Sequence, residues 1–457
     1  MDYKYKNFFQ GKNITIMGLG LLGRGLGIAQ FLFECGANLT ITDLKSEEEL
    51  KKSVTVLKNL VRKKDFLHKH KIRFVFGGHK LEDFRNKDYI IKSAGVPIDS
   101  PYIEEAKKNK IPIEMDVSFF AKLSPKTKII GVTGTRGKSM TTTLIYEILK
   151  KNEDFLNKKV YIGGNIKGIA TLPILKKIEN SRKESILVCE LDSWQLQGFG
   201  ESKISPHISV FTSFFPDHMN YYKNNMKRYF ADKANIFKFQ KKGDVLIIRK
   251  GVKKIIPKNI KSNLITVDIK DAQKYPFNIP GNHQRENLAC AISVAKLLGV
   301  PSSRIITSLK GFKGVEGRLQ YLKTIRGVKI YNDNNATSPE ATMADIEALA
   351  VSLKNRKKNI ILILGGSDKG LKVDNLQKII NKYCKIVILL PGTGTDKLNL
   401  LKNSIKTRNL KEAINEAFKT TEKGDILLFS PAFASFGMFK NEYDRGDQFL
   451  KIIKKYN

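Results

Sequence analysis

A chain of 457 residues that is 41% hydrophobic has the apolar content to bury cores in roughly three domains, so its class is globular and multidomain. Its formal charge of +37 comes mainly from lysine, 66 Lys against 15 Arg, spread along the whole chain. Readers of nucleic acid cluster arginine with aromatics and no such stripe occurs here, so nucleic acid is excluded as the partner, and only nonspecific attraction to anionic substrates or membrane surfaces remains.

Asn13-Ile14-Thr15-Ile16-Met17 reads as a strand, followed by Gly18-Leu19-Gly20-Leu21-Leu22-Gly23 and a helix running to about Cys35. A second strand, Asn38 to Thr42, ends at Asp43, twenty residues past Gly23. This is a βαβ unit with the G-x-G-x-x-G spacing and an acidic residue where a ribose or base is met. The spacing alone serves any nucleotide-diphosphate ligand, and a bare strand-to-helix turn also produces it. Asp88 to Lys92 reads as a further strand, and its loop Ser93-Ala94-Gly95-Val96-Pro97 belongs at the same sheet edge.

A boundary is expected at Ser124-Pro125. Beyond it, Ile129-Ile130-Gly131-Val132-Thr133 is an apolar strand that runs into Gly134-Thr135-Arg136-Gly137-Lys138-Ser139, with a helix beginning near Met140. Such a turn cradles phosphates. Glycines let N–H groups converge on oxyanions, Lys138 meets the β/γ phosphates and Ser139 holds Mg²⁺. The strict G-x4-G-K-[S/T] spacing is missed because Val132 stands at the first glycine position. Two later strands end in chemistry, where open parallel sheets place ligands: Ile186 to Cys189 at Glu190, and Ile208 to Phe214 before Pro216-Asp217-His218. Singly, a strand-end Glu or a loop His is more often structural; together, after a phosphate cradle, they suit Mg²⁺.

The helix after Gly281-Asn282-His283 carries Asn287 and then a core stripe of Ala291, Val294, Ala295 and Leu298. A second junction falls at Gly311 to Gly317, before Arg318. The strand-helix rhythm then resumes with Ile360 to Leu364, Ile386 to Leu390 and Ile426 to Phe429, the last ending in Ser430-Pro431-Ala432. The expected fold is α/β in three domains around a shared cleft: a Rossmann-like domain over 1–124, a central P-loop ATPase-like domain with a parallel-rich sheet over 125–314, and a Rossmann-like C-terminal domain over 315–457. Cys35, Cys189, Cys290 and Cys384 lie far apart, mostly in apolar runs, and read as reduced core residues. No signal sequence is visible at the N-terminus and no apolar run approaches 18 residues, so a cytoplasmic protein without integral membrane contact is expected.

Gly-Val-Thr-Gly-Thr-x-Gly-Lys-Ser, the Glu190 strand end, Asp217-His218-Met219, the helix with Asn287, Arg318, Tyr331-Asn332-Asp333 and Ser430-Pro431-Ala432 occur in the order found in Mur ligases. The chain resembles that family over nearly its whole length. Gly18-Leu19-Gly20, Gly163-Gly164-Asn165-Ile166, Ala434-Ser435-Phe436, Phe439-Lys440-Asn441 and Arg445-Gly446 resemble its glutamate-adding branch. Sister branches carry a histidine or an Asn-Pro in the loop occupied here by Asn332-Asp333-Asn334-Asn335.

The resemblance implies ATP-dependent addition of D-glutamate to UDP-N-acetylmuramoyl-L-alanine through an acyl phosphate, by a monomer with ATP and two Mg²⁺. It implies ATP contacts at Gly134, Thr135, Gly137, Lys138, Ser139, Asn287, Arg318 and Asp333, and metal contacts at Ser139, Glu190, His218 and a carbamylated Lys233, with Lys138, His218 and Lys233 catalytic. For the UDP sugar the matching positions are Leu21, Leu22, Asp43, Ser93, Gly95 and Asn165. For the amino acid they are Thr337, Lys369, Ser435 and Phe436. Three positions depart from the family pattern: Arg136 stands for Asn, Asn335 for Lys, and Glu442 for an aromatic. They leave L-glutamate as the alternative acceptor, and a nucleotide-regulated binding protein without turnover as the alternative class.

Overall fold

The computed structural model describes residues 4–64, 71–351 and 358–456. Three separate sheets follow one another along the chain. The first holds β1 (Asn13–Met17), β2 (Asn38–Asp43), β3 (Ile72–Phe76), β4 (Tyr89–Lys92) and β5 (Ile113–Glu114) in the order β3-β2-β1-β4-β5. The second holds β6 (Lys128–Thr133), β7 (Lys158–Gly164), β8 (Glu184–Glu190), β9 (Ile208–Phe211), β10 (Val245–Arg249) and β11 (Asn263–Val267) in the order β11-β10-β9-β6-β8-β7. Every pairing in both is parallel.

The buried strands explain the pairing. β6 and β8 are buried at every residue after the first, the near-continuous apolar run that a parallel sheet covered on both faces requires. In each sheet the chain reverses direction of growth at one strand. β1 lies between β2 and β4, and β6 lies between β8 and β9. The crevice at such a switch point is where open α/β sheets take ligands. Both glycine-rich loops open there, Gly18 to Gly23 after β1 and Gly134 to Gly137 after β6.

The third sheet holds β12 (Gln320–Ile325), β13 (Val328–Asn332), β14 (Ile360–Gly365), β15 (Cys384–Leu390), β16 (Ser404–Lys406) and β17 (Ile426–Phe429), in the order β12-β13-β17-β14-β15-β16. It is parallel except for a β12–β13 hairpin with a register shift between Tyr321 and Lys323. That hairpin has no counterpart in the expected strand-helix rhythm. It puts Asp333 directly after β13, at the same edge as Ser430 after β17.

Two expected boundaries move. The helix after the phosphate loop starts at Lys138, because Gly137 takes a left-handed φ of 87° and the chain is helical from the next residue. β9 stops at Phe211 rather than Phe214, because the Thr212 and Ser213 hydroxyls both turn to donate to the Arg136 carbonyl. The core also ignores the expected first boundary: Phe119 and Phe120, on the helix Asp116–Leu123, belong to one apolar cluster that runs from Ile14 and Leu32 to Leu187 and Phe211. All four cysteines are buried. Among the described residues no helix is long and apolar enough to cross a membrane.

Candidate active site

The loop between β6 and the helix Lys138–Lys150 can be built only with its glycines. A Cβ on Gly134, at φ 146°, would lie 2.1 Å from Thr212 Oγ1, and one on Gly137 would lie 2.4 Å from Asn287 Oδ1. The loop is thereby held against β9 and against the helix Asn282–Leu297. Thr135 N donates to Ser213 O, and Arg136 N donates to Ser213 Oγ.

Four ionisable groups meet on this loop. Lys138 Nζ donates to Gly134 O at 3.0 Å and Thr135 O at 3.1 Å, and Lys233 Nζ donates to the same Gly134 O at 3.0 Å. Burial and the neighbouring Lys138 charge hold the Lys233 amine well below the usual lysine range. Lys138 is lowered mainly by desolvation, which the Glu190 carboxylate opposes. Glu190, 3% exposed, is raised by burial against the pull of Lys138, Arg318 and a hydrogen bond from Ser139. Arg318 crosses from the third segment to reach Ser139 Oγ at 3.5 Å. Each perturbation is a cost of holding charge out of water, which nearby phosphate or cation charge would relieve.

A cavity of about 300 Å³ opens beside the loop, between the second and third sheets. Of the positions expected to meet ATP it is lined by Thr135, Gly137, Lys138, Ser139, Asn287, Arg318 and Asp333; Gly134 stands behind the lining, its carbonyl taken by the two lysines. Asn287 Oδ1 and Asp333 Oδ1 are buried without a hydrogen-bond partner. Two idle acceptors on one wall fit a ligand that brings donors, and the cationic loop opposite fits one that brings phosphates. Arg249, His283, Gln284 and Asp345 also line the cavity and escaped the motif reading. Arg249 was findable, since it ends β10 at the edge where strand ends carry ligands.

The proposed metal residues are only partly assembled. Ser139 and Glu190 touch, and these hard oxygen donors fit Mg²⁺. His218, in a left-handed conformation at φ 54°, lies against the Trp194 ring at 4.8 Å, with Nε2 3.7 Å from Asp217 Oδ2. Lys233 offers an amine, which is no Mg²⁺ ligand as it stands. Among the described residues no three His, Cys, Asp or Glu side chains form a metal-sized cluster. Burial works to raise the Asp217 carboxyl, yet Arg136, His218, Lys369 and Lys138 outweigh it and hold the group at about 2. Arg136 also donates to Ser338 Oγ, so the residue standing for the family's Asn ties the phosphate loop to the third domain.

The amino-acid positions divide. Lys369 Nζ donates to Thr337 Oγ1 at 3.1 Å and Ser435 is buried, whereas Phe436 is 65% exposed and faces a second cavity. That cavity, about 360 Å³, is lined by Leu21, Leu22, Ser93 and Gly95, with Lys92, Gln195 and Tyr443 beside them. Asp43 and Asn165, also expected there, are not among its lining: the Asp43 carboxylate accepts from Gly20 N and Lys45 N, both at 2.9 Å, and the Asn165 backbone N donates to Glu190 O at 2.8 Å. Lys92, buried and donating to Val96 O at 2.8 Å, has its pKa lowered by desolvation to about 8.

Known proteins match the chain throughout. Family models for a Mur ligase MurD-like N-terminal domain, a Mur ligase middle domain and a Mur ligase glutamate ligase domain match residues 12–114, 132–294 and 317–433. UDP-N-acetylmuramoylalanine–D-glutamate ligase of Borreliella afzelii is 37% identical, covering 96% of this chain and 97% of its own; the Roseiflexus enzyme of the same name is 32% identical over 98% and 99%. In fold, the chain is similar to the UDP-N-acetylmuramate-alanine ligase MurC of Thermotoga maritima, with a TM-score of 0.61, 19% identity and 97% and 99% of the two chains covered. It is also similar in fold to the MurF ligase of Thermotoga maritima in complex with ADP, with a TM-score of 0.58, 19% identity and 82% and 96% covered.

Proposed function

The chain belongs to the Mur ligase family, and from that premise we propose that it is a cytoplasmic, ATP-dependent and ADP-forming amide ligase. It adds D-glutamate to UDP-N-acetylmuramoyl-L-alanine in peptidoglycan precursor synthesis, acting as a monomer. The observation that carries the reading is the cavity in which a phosphate loop with Lys138 and Ser139 faces Arg318 and Asp333 from the next domain, with the buried Glu190 hydrogen-bonded to Ser139.

In this reading the substrate carboxylate oxygen attacks the γ-phosphorus and the bond to ADP breaks. The glutamate amine then attacks the acyl carbon, loses a proton and displaces phosphate. Phosphoryl transfer asks chiefly for positioning and charge compensation. Lys138 and Arg318 supply positive charge, and the loop N–H groups orient the phosphates. Ser139 and Glu190 would hold Mg²⁺, with His218 and Lys233 joining them at a second ion. Mg²⁺ bound there adds further positive charge against the triphosphate. Lys233 suits carbamylation because its amine, driven toward the neutral form by burial, is the nucleophile that CO₂ requires; the resulting carbamate presents oxygens in place of an ammonium. Leu21, Leu22, Ser93 and Gly95 line the UDP-sugar cavity, and Asp43 and Asn165 are assigned to the same ligand. The Thr337–Lys369 pair, with Ser435, meets the distal carboxylate of glutamate through charge-assisted hydrogen bonds.

The test is incubation with UDP-N-acetylmuramoyl-L-alanine, ATP, Mg²⁺ and each glutamate enantiomer separately, with the product detected by mass. Product with D-glutamate alone is expected. Product with L-glutamate alone transfers the assignment to the other enantiomer. ADP binding with no product from either leaves a nucleotide-regulated binding protein.

A further inference from the structure

Asp345 is 2% exposed on the helix Pro339–Val351, lines the nucleotide cavity, and is hydrogen-bonded to Asp333, itself 7% exposed. Nothing in the motif reading marks it, since a lone acid within a helix has no local signature. Two carboxylates in contact and withdrawn from water cannot both remain ionised, so the pair shares one proton. The contact draws the Asp333 carboxyl down and pushes Asp345 up, as it does when the Asp345 O–H donates to an Asp333 carboxylate. Burial raises both: Asp345 well above the carboxylate range, and Asp333 to about 6, where Arg318 and Arg136 oppose the rise. Ser430 Oγ, at the end of β17, lies 2.8 Å from Asp345 Oδ2 and 2.8 Å from Thr342 Oγ1, which fixes the acid's orientation. The facing groups are therefore Arg318 from the domain junction, Arg136 from the phosphate loop and the Ser430 hydroxyl. Asp333 Oδ1 is left buried, without a partner, on the cavity wall.

We propose that Asp345 is a positioning residue: it holds a single proton against the Asp333 carboxylate and so fixes that carboxylate for a hydrogen-bond donor of the bound nucleotide. The inference rests on the cavity being the nucleotide site. Loss of the shared proton at alkaline pH places a second charge in the wall, splits the pair by repulsion and turns Asp333 away from the ligand. Asp345→Asn keeps a permanent donor of nearly the same shape but has no proton to lose. Asp345→Ala removes the donor at every pH.

The experiment is calorimetric binding of ADP without metal to the full chain over about pH 6 to 9, joined to an infrared spectrum of the carbonyl stretch of protonated carboxylic acids. Wild-type affinity should fall about tenfold over the alkaline limb. Asp345→Asn should bind like the wild type at neutral pH with no alkaline limb, and Asp345→Ala should bind weakly throughout. The infrared band should be present in the wild type at neutral pH and lost in Asp345→Asn. An alkaline limb unchanged in Asp345→Asn, or a wild-type spectrum with no such band, overturns the proposal. A wild type that shows the band yet binds no ADP overturns the nucleotide reading of the cavity and leaves the shared proton standing.

Discussion

The two cavities differ less in polarity than in where their displaced ionisable groups stand. The nucleotide cavity is lined by the displaced groups Lys138, Asp333 and Asp345, with Glu190 and Lys233, also displaced, bonded to its phosphate loop at Ser139 and the Gly134 carbonyl. The second cavity combines glycine loops and apolar side chains such as Leu21, Ile28 and Val117 with the charged Arg24, Lys45, Lys440 and Glu442, and its displaced groups are Lys92 and Asp116. Displaced charge at a phosphate loop is suited to compensating charge that develops during reaction, whereas a preformed wall away from that loop binds ground state and transition state alike. The first should therefore govern turnover and the second substrate affinity.

The largest effect should come from Lys138→Ala, which removes the phosphate loop's own cation. Phosphate release should fall about 10²- to 10³-fold, as for loss of a single oxyanion-stabilising donor. Its bonds go only to the loop carbonyls of Gly134 and Thr135, so circular dichroism should be unchanged. Near-wild-type turnover would end the division between the cavities. Lys233→Ala should be inactive to a similar degree, and acetate should restore part of the rate if a carboxylate is what the site uses. An active variant, or a wild-type protein whose mass shows no carbamate under CO₂, counts against that role.

A moderate effect of another kind is expected in the second cavity. Lys92→Met should raise KM for the UDP-sugar substrate about tenfold, the loss of roughly one charge-assisted hydrogen bond, with kcat unchanged. Lys92 is a cation below about 8 and neutral above it, so wild-type KM should climb as pH passes that value, and the variant should show no such climb. A fall in kcat instead would make the second cavity part of the chemistry. The smallest effect should follow Arg136→Asn. Its partly exposed bridge to Ser338 and Asp217 is worth about 1 kcal/mol or less, so KM for ATP should rise no more than about fivefold.

Much of the fold was legible because its signals are local. A strand, a glycine turn and a helix announce themselves over a dozen residues, and both switch-point loops stood where the motifs put them. The strand end at Glu190 was readable for the same reason, whereas Asp333 was reached only through the resemblance to Mur ligases. The β12–β13 hairpin was missed because nothing in its spacing distinguishes an antiparallel edge from another parallel strand.

By itself the sequence determined the three sheets' principal strands and the phosphate loop, since each is fixed by side-chain volume, φ preference and spacing along one segment, while the resemblance to Mur ligases supplied the order of the remaining site residues. Only the tertiary structure decided what those residues do with their polar atoms. It gave the Asp43 carboxylate to the Gly20 and Lys45 amides, turned Phe436 toward the second cavity, joined Arg136 to Ser338, and set Asp345 against Asp333. Desolvation and hydrogen-bond partners come from elements distant in sequence, so a carboxylate's charge, and with it its role, is settled only when the domains close over it.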